Sequence, residues 1–407
     1  MTVVASQTVS KTEARRGWLS WAAFLGMSWT WCIGMFLPVI LIRDYGISGW
    51  IVFAVPNVLG AAAMGWVIRS RQGSEAIART HRLAATLFSG VTIAFHLFFV
   101  ISVIAPLAQS VLPRQGDNIS TSEAIDLAAG GMLVASVLLY IYLTRRPDAD
   151  RTLSWIVLAI SLAAIACTLP DLLGPSLGTS HMTPLEGSSM SDLIWLAPVC
   201  VFGFLCCPYL DLTFHRAYQS SESSRASFGV GFVGLFLPMI VFTLLYARAM
   251  SGGLMTQWIA AFLYIHLAVQ SAFTVAVHAR ELQRNARAAV FVAGILTIGS
   301  VLAFWGIRLM PFQSPLRIGE VVYRSFMGFY GLVFPAYVWL VMLPGRGRAS
   351  PNPWRLIVYA LAVLVALPMF AQGFLLQHTV WLAPGLVVVL VARLFIRSPK
   401  PSQDTMG

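Results

Sequence analysis

Arginine marks every second connection between twelve apolar stretches of this 407-residue chain, and that alternation limits its fold more than any local motif. A helix needs about 20 apolar residues to cross a hydrocarbon core roughly 30 Å thick. Stretches of that kind begin near Trp18, Gly46, Leu83, Ala124, Leu153, Asp192, Ser227, Leu254, Ala288, Ile318, Trp354 and Thr379. Short cytoplasmic loops collect Lys and Arg, while acidic residues carry little of the topology signal. With the N-terminus inside, 21 of the 27 basic residues fall on the cytoplasmic side. The other six, Arg43, Arg114, Arg248, Arg308, Arg317 and Arg324, fall outside. The expected fold is all-α: a polytopic membrane protein with 12 transmembrane helices and both termini in the cytoplasm.

Charged residues make up 11% of the chain, against about 25% in a soluble domain. The net charge of +11 follows from the loop arginines and suits anionic inner-leaflet lipid, so membrane lipid is an expected partner and nucleic acid is not. Residues 1–17 are polar and lack the apolar core of a cleavable signal, so the first helix reads as a signal anchor. Arg outnumbers Lys by 25 to 2, which points to a GC-rich bacterial genome and hence to the cytoplasmic (inner) membrane. Cys32, Cys167, Cys200, Cys206 and Cys207 lie in apolar stretches without metal-ligand spacing and read as small packing residues. No metal site or resident cofactor is expected; Na+ enters only as a coupling ion.

An internal echo runs through the chain. The first apolar stretch contains Gly34-Met-Phe-Leu-Pro38, and the sixth contains Gly203-Phe-Leu-Cys-Cys-Pro208. The second and seventh share a Gly-to-Pro spacing, Gly49 to Pro56 and Gly231 to Pro238. The third and eighth each carry His-Leu near the middle, at His96 and His266. Pro38 to Pro208 and His96 to His266 are both offset by 170 residues. Five is odd, so a duplicated five-helix unit must sit upside down relative to its copy. Inverted repeats with broken helices at corresponding positions point to a secondary transporter and its midplane binding site.

The run Ile33-Gly-Met-Phe-Leu-Pro38, then Tyr45-Gly-Ile-Ser-Gly-Trp50, then Val55-Pro56-Asn57, resembles the start of LeuT-type transporters of the amino acid–polyamine–organocation superfamily, which include the sodium:solute symporters. The resemblance implies a 5+5 inverted repeat plus two C-terminal helices. The organisation is then a cytoplasmic segment at 1–17, a first repeat at 18–173, an extracellular loop at 174–190 and a second repeat at 191–344. Helices 11 and 12 at 345–397 and a cytoplasmic tail at 398–407 complete it. The alternative is a major facilitator 6+6 fold, whose motif after the second helix is partly matched by Gly60 to Gly73 without its Asp-Arg pair.

Candidate residues follow from the breaks. Gly34, Pro38, Pro198, Gly203 and Pro208 interrupt helices 1 and 6. Carbonyls freed around Ser28–Gly34 and Phe202–Cys206 are suited to a cation, and half-helix N-termini to a carboxylate. Trp29, Trp31, Gly34, His96, Phe202, Gly203, Phe204 and His266 are the expected solute-binding residues. By the resemblance, Ser271 and Thr274 join carbonyls of Ser28 and Trp31 around a sodium ion. Arg15, Arg16, Asp211 and His215 are candidates for an inner gate, and Arg43, Asp44, Glu320 and Arg324 for an outer one. Ordinary packing, snorkelling and i, i+4 pairing compete with each assignment.

The expected function is cation-coupled (Na+ or H+) symport of a small organic solute by alternating access. HExxH, GxSxG and Walker sequences are absent from the chain, so no enzyme activity is expected and transport must draw on an ion gradient. Two other readings stay open. His96 and His266 as axial ligands would make a membrane haem or redox protein. An integral membrane enzyme or assembly subunit is the third.

Overall fold

The computed structural model describes residues 11–108, 111, 121–146, 148–174, 189–251, 255–282, 294, 318–345 and 350–396. Among them every regular element is helical and there is no strand. Among the described residues nine helices are long and apolar enough to cross a membrane, and the architecture is that of a polytopic membrane protein. Lipid offers no hydrogen bonds to backbone, and helices close theirs internally.

Helix α1 spans Lys11–Ser28, and α2 spans Cys32–Val67. At 36 residues, a straight α2 would run about 54 Å, well beyond a bilayer core. It is two arms. Gly46 adopts φ 64°, ψ −153°, which an L side chain rarely tolerates, and the chain folds back there. A Cβ placed on Gly49 would lie 2.5 Å from the Leu41 carbonyl oxygen, a meeting that only antiparallel arms allow. The amphipathic α3 (Arg71–Thr80) leads to α4 (Arg82–Ala108), α5 (Thr121–Arg145) and α6 (Ala149–Leu173). Next come α7 (Asp192–Cys206), a 3-10 turn at Cys207–Leu210, and the short α8 (Leu212–Ser220). Helices α9 (Ser224–Met250), α10 (Gln257–Leu282), α11 (Gly319–Gly345), α12 (Pro353–Phe374) and α13 (Thr379–Phe395) complete the bundle. The stretch expected from Ala288, most of the 174–190 loop and the tail at 398–407 lie outside the described residues.

Burial separates the helices by role. α4 and α10 are two-thirds buried along their most apolar windows, whereas Leu127, Val134, Val137 and Leu138 of α5 are exposed, as a lipid-facing helix requires. The first arm of α2 lies deep in the core, with Cys32, Ile33, Met35, Val39, Ile40, Leu41 and Ile42 all buried. Close backbone approach places that core. Phe204 O overlaps the position a Cβ would take on Gly60, and Tyr330 O lies 2.8 Å from one on Gly203, so α2, α7 and α11 meet backbone to backbone.

Candidate functional site: two interrupted helices around a narrow cavity

The chain leaves helical geometry at Trp29–Trp31, between α1 and the first arm of α2. No glycine or proline causes this. Ser28 Oγ donates to Leu25 O at 3.3 Å and Thr30 Oγ1 to Gly26 O at 2.9 Å, and the Trp31 indole N–H donates to Ser28 O. Such bonds offer the backbone an alternative to the helix ladder. Gly34 and Pro38, expected to interrupt the helix, lie inside the continuous first arm.

The restarted helix exposes N–H groups that need partners. His96 of α4 supplies one: Cys32 N–H donates to His96 Nε2 at 3.2 Å. The proton is therefore on Nδ1, which donates to Thr92 O at 2.7 Å. His96 thus acts as a helix cap from 64 residues away. Both ring nitrogens are engaged, which leaves neither for a haem iron.

The second interruption falls at Cys207–Asp211, just beyond the expected Phe202–Cys206, which remains part of α7, as does Pro198. Pro208 has no N–H to return to Phe204 O, and that carbonyl rests against Gly60. Asp211 restarts the chain as the cap of α8, accepting from Thr213 N and Thr213 Oγ1, both at 2.7 Å. The same residue is the one expected at an inner gate with Arg15, Arg16 and His215. His215 instead joins Ser74 Oγ at 2.8 Å and Tyr209 O at 3.0 Å. The side chains of Arg15 and Arg16 lie outside the described residues.

The two interruptions are neighbours. The Trp29 and Phe214 rings lie 4.9 Å apart, and a cavity of about 70 Å³ runs beside both breaks. Trp29, Trp31, Gly34, Tyr45 and Asn57 of the first broken element and its second arm line it, as do Cys200, Gly203, Phe204 and Cys207, and, among others, Arg324, Tyr330, Gly331, Gly373, Phe374 and Thr379. Five expected solute-binding residues line it: Trp29, Trp31, Gly34, Gly203 and Phe204. Three do not. Phe202 packs on Trp339, His96 caps α2, and His266 bonds Ser161 Oγ at 3.0 Å. Two wall residues were not among the expected site residues: Asn57, whose Oδ1 accepts from Trp29 Nε1 at 2.7 Å, and Tyr330, whose hydroxyl bonds Thr92 Oγ1 at 2.9 Å. A polar residue beside Pro56 was the only available signal for Asn57.

On the far side of α1, helix α10 presents Gln270, Ser271, Thr274 and His278, all fully buried. Gln270 Nε2 reaches Ser161 Oγ at 3.0 Å and Met27 Sδ at 3.2 Å, while the His278 ring stands 5.4 Å from that of Trp31. Ser271 Oγ, Thr274 Oγ1 and Gln270 Oε1 make no protein hydrogen bond. Buried polar atoms are nearly always paired, so this stripe is unusual. Among the described residues no three His, Cys, Asp or Glu side chains gather as a metal-ligand set.

Charge is concentrated at two places. Arg43 pairs with both Glu320 oxygens at 2.8 Å and with Asp44 at 2.8 Å. Arg324 closes the ring through Asp44 at 2.7 Å and Glu320 at 2.9 Å. A second network escaped the sequence reading: Asp150 accepts from Arg216 and, at 3.1 Å, from Arg280, and Arg216 pairs with Glu281 at 2.8 Å. These arginines read as topology markers in one dimension. Comparison with known proteins returns no matching family model and no matching curated sequence.

Proposed function

We propose that the protein is a secondary active transporter, a sodium-coupled symporter that carries a small organic solute by alternating access. The carrying observation is that the two interrupted helices meet beside one cavity. Irregular backbone at membrane depth is tolerated where protein buries it or a cavity adjoins it, and paired breaks five crossings apart are the mark of inverted-repeat transporters. On this reading α1 with the first arm of α2 is crossing 1, and the second arm is crossing 2. Crossings 3 to 5 are α4, α5 and α6, and crossing 6 is α7 with α8. Crossings 7 and 8 are α9 and α10, the stretch expected from Ala288 lies outside the described residues, and α11, α12 and α13 are the last three. The Arg43–Asp44–Glu320–Arg324 ring is then the outer gate and the Asp150–Arg216–Arg280–Glu281 network the inner one.

Sodium prefers hard oxygen donors. The unpartnered Ser271 and Thr274 hydroxyls are such donors, on a helix packed against the α1 end. Carbonyls of Ser28 and Trp31 would complete the set through their second lone pairs. Each already accepts one bond, from the Trp31 indole and from Met35 N respectively.

The test is the thermal stability of the purified protein in NaCl against KCl at equal ionic strength. Sodium should raise the midpoint of the wild type and leave Thr274→Val unmoved. An ion present at 100 times its dissociation constant stabilises by about 2.7 kcal/mol, which is readily seen. Identical wild-type midpoints in the two salts would remove sodium from the proposal.

A further inference from the structure

A second cleft lies away from the broken helices, where α12 begins and α13 ends. It has a volume of about 460 Å³ and is lined by Asn352, Trp354, Arg355, Phe395 and Ile396. Asn352 caps α12 by accepting from Arg355 N at 2.9 Å, and the Trp354 indole N–H donates to Phe395 O at 3.0 Å, which ties the two helix ends together. At about 30 Å³ per water molecule, the cleft holds a hydrated group and not one trapped water.

The unexplained residue is Arg355. It is 5% exposed, its Nε has no hydrogen-bond partner, and it stands in the first turn of α12. A buried charge without a partner is costly, and the positive end of a helix dipole disfavours a cation further. The described ion pairs use Asp44, Glu75, Asp148, Asp150, Glu281 and Glu320, and none of them reaches Arg355. The neighbouring elements bring no acid either. Arg393 of α13, within electrostatic reach of Arg355, lies over the Trp339 ring at 6.0 Å and has an unpartnered Nη1. His81, between α3 and α4, is also within reach; its Nδ1 meets the Tyr337 hydroxyl at 3.0 Å and its Nε2 has no partner. From α11 and α12 come the neutral Tyr337 and Tyr359, whose rings lie 5.6 Å apart. In the flanking sequence Arg346, Arg348, Arg397 and Lys400 stand against one acid, Asp404. Such a cleft calls for an anion.

The adjoining surface identifies its kind. Trp354, Ile357, Leu361 and Leu364 are exposed along one face of α12, and Leu394 and Phe395 at the end of α13. An apolar stripe that starts at the cleft suits an acyl chain, whereas an inorganic anion gains nothing from it. Tryptophan at a helix end marks the headgroup level. Guanidinium and phosphate form paired, charge-assisted hydrogen bonds, and basic pockets between membrane helices hold anionic headgroups.

We propose that this cleft binds an anionic phospholipid, its phosphate held by Arg355 and Arg393 and one acyl chain lying along Trp354, Ile357 and Leu361. The site is separate from the cavity between the broken helices and does not depend on the transport reading.

The test follows the thermal midpoint of the purified, delipidated full-length protein as phosphatidylglycerol, phosphatidylcholine or inorganic phosphate is added at equal ionic strength. Phosphatidylglycerol should raise the wild-type midpoint saturably, and the other two should leave it unmoved. Without lipid, Arg355→Met should unfold at the wild-type temperature or above, because an orphaned charge is gone. Its apparent affinity for phosphatidylglycerol should fall by about tenfold or more. In case that variant does not fold, phosphatidylglycerol with a diazirine on its acyl chain should label the wild type between Trp354 and Leu361. Asp404→Asn should change nothing. An equal response to inorganic phosphate would make this a free-anion site, and an equal response to phosphatidylcholine would remove the need for net negative charge; either overturns the proposal. So does an undiminished phosphatidylglycerol response in Arg355→Met, or label confined to other helices. A lower lipid-free midpoint in Asp404→Asn would overturn it too, by showing that the tail carboxylate already neutralises Arg355.

Discussion

Replacing Arg324 by Met should open the Arg43 end of the cavity. Arg324 is 12% exposed and sits between Asp44 and Glu320, which are 4% and 10% exposed. Removing it leaves two carboxylates sharing Arg43, whose side chain is 31% exposed. Breaking a buried pair costs about 3–5 kcal/mol, mostly because a desolvated charge is left uncompensated. Partial exposure of Arg43 favours the low end, about 3 kcal/mol. That penalty falls on the state in which α2 and α11 are tied together, and water relieves it when they part. The equilibrium should therefore move toward the open state by roughly 100-fold, at about 1.4 kcal/mol per decade. The assay is the rate at which a membrane-impermeant thiol reagent, added outside intact cells, modifies Cys200, one of the residues lining the cavity beneath the ring. Arg324→Met should raise that rate by up to 100-fold, and the double variant Arg324→Met, Glu320→Gln should restore much of the closed behaviour by removing the stranded charge. A rate within threefold of wild type in the single variant would refute the argument that the ring holds this end shut.

Gly60→Ala should destabilise the protein by about 1–3 kcal/mol in thermal or denaturant unfolding, because its methyl would overlap the Phe204 carbonyl and both partners are backbone. The matched control, Gly130→Ala on α5, has nothing within 4 Å of the new methyl and should be neutral or stabilising by up to ~1 kcal/mol; equal effects at the two sites would show that close backbone packing does not set the cost. His96→Phe should cost about 1–3 kcal/mol by orphaning the Cys32 N–H, with faster hydrogen exchange at that amide, and unchanged exchange would remove His96 as a cap. In sodium-free buffer, Thr274→Val should leave stability unchanged or raise it, since a buried unpaired hydroxyl is removed; a loss above about 1 kcal/mol there would mean that the hydroxyl has a protein partner.

The two charge networks stand at different places along the same broken element. Arg43 and Asp44 close the first arm of α2 against α11, while Arg216 of α8 packs its guanidinium 4.7 Å from the Phe24 ring of α1 and pairs with Asp150. Arg324 of the first network lines the cavity, whereas none of Asp150, Arg216, Arg280 and Glu281 does.

How much was legible in one dimension differs by level. Apolar length and arginine bias mark where helices lie, because transfer from water to hydrocarbon is summed residue by residue and does not depend on partners. The second apolar stretch was expected to begin near Gly46, where the two arms of α2 meet. The placement of the breaks was not. Glycine and proline were the expected breakers, yet Gly34, Pro38 and Pro198 sit inside continuous helices, the first two buried by neighbouring helices and Pro198 exposed. The first break falls instead on Ser28-Trp-Thr-Trp31, where hydroxyl and indole bonds to the backbone compete with the ladder.

The amino-acid sequence by itself determined a membrane-embedded helical bundle, the approximate limits of its crossings and the polar residues that must be buried within it. Tertiary structure alone decided which of those residues meet. His96 caps a helix 64 positions away, Arg324 reaches Asp44 across 280, and Asp150 gathers arginines from two other helices. A hydrogen bond or ion pair depends on distances of a few ångströms between groups remote in sequence, and only the packed bundle sets those distances.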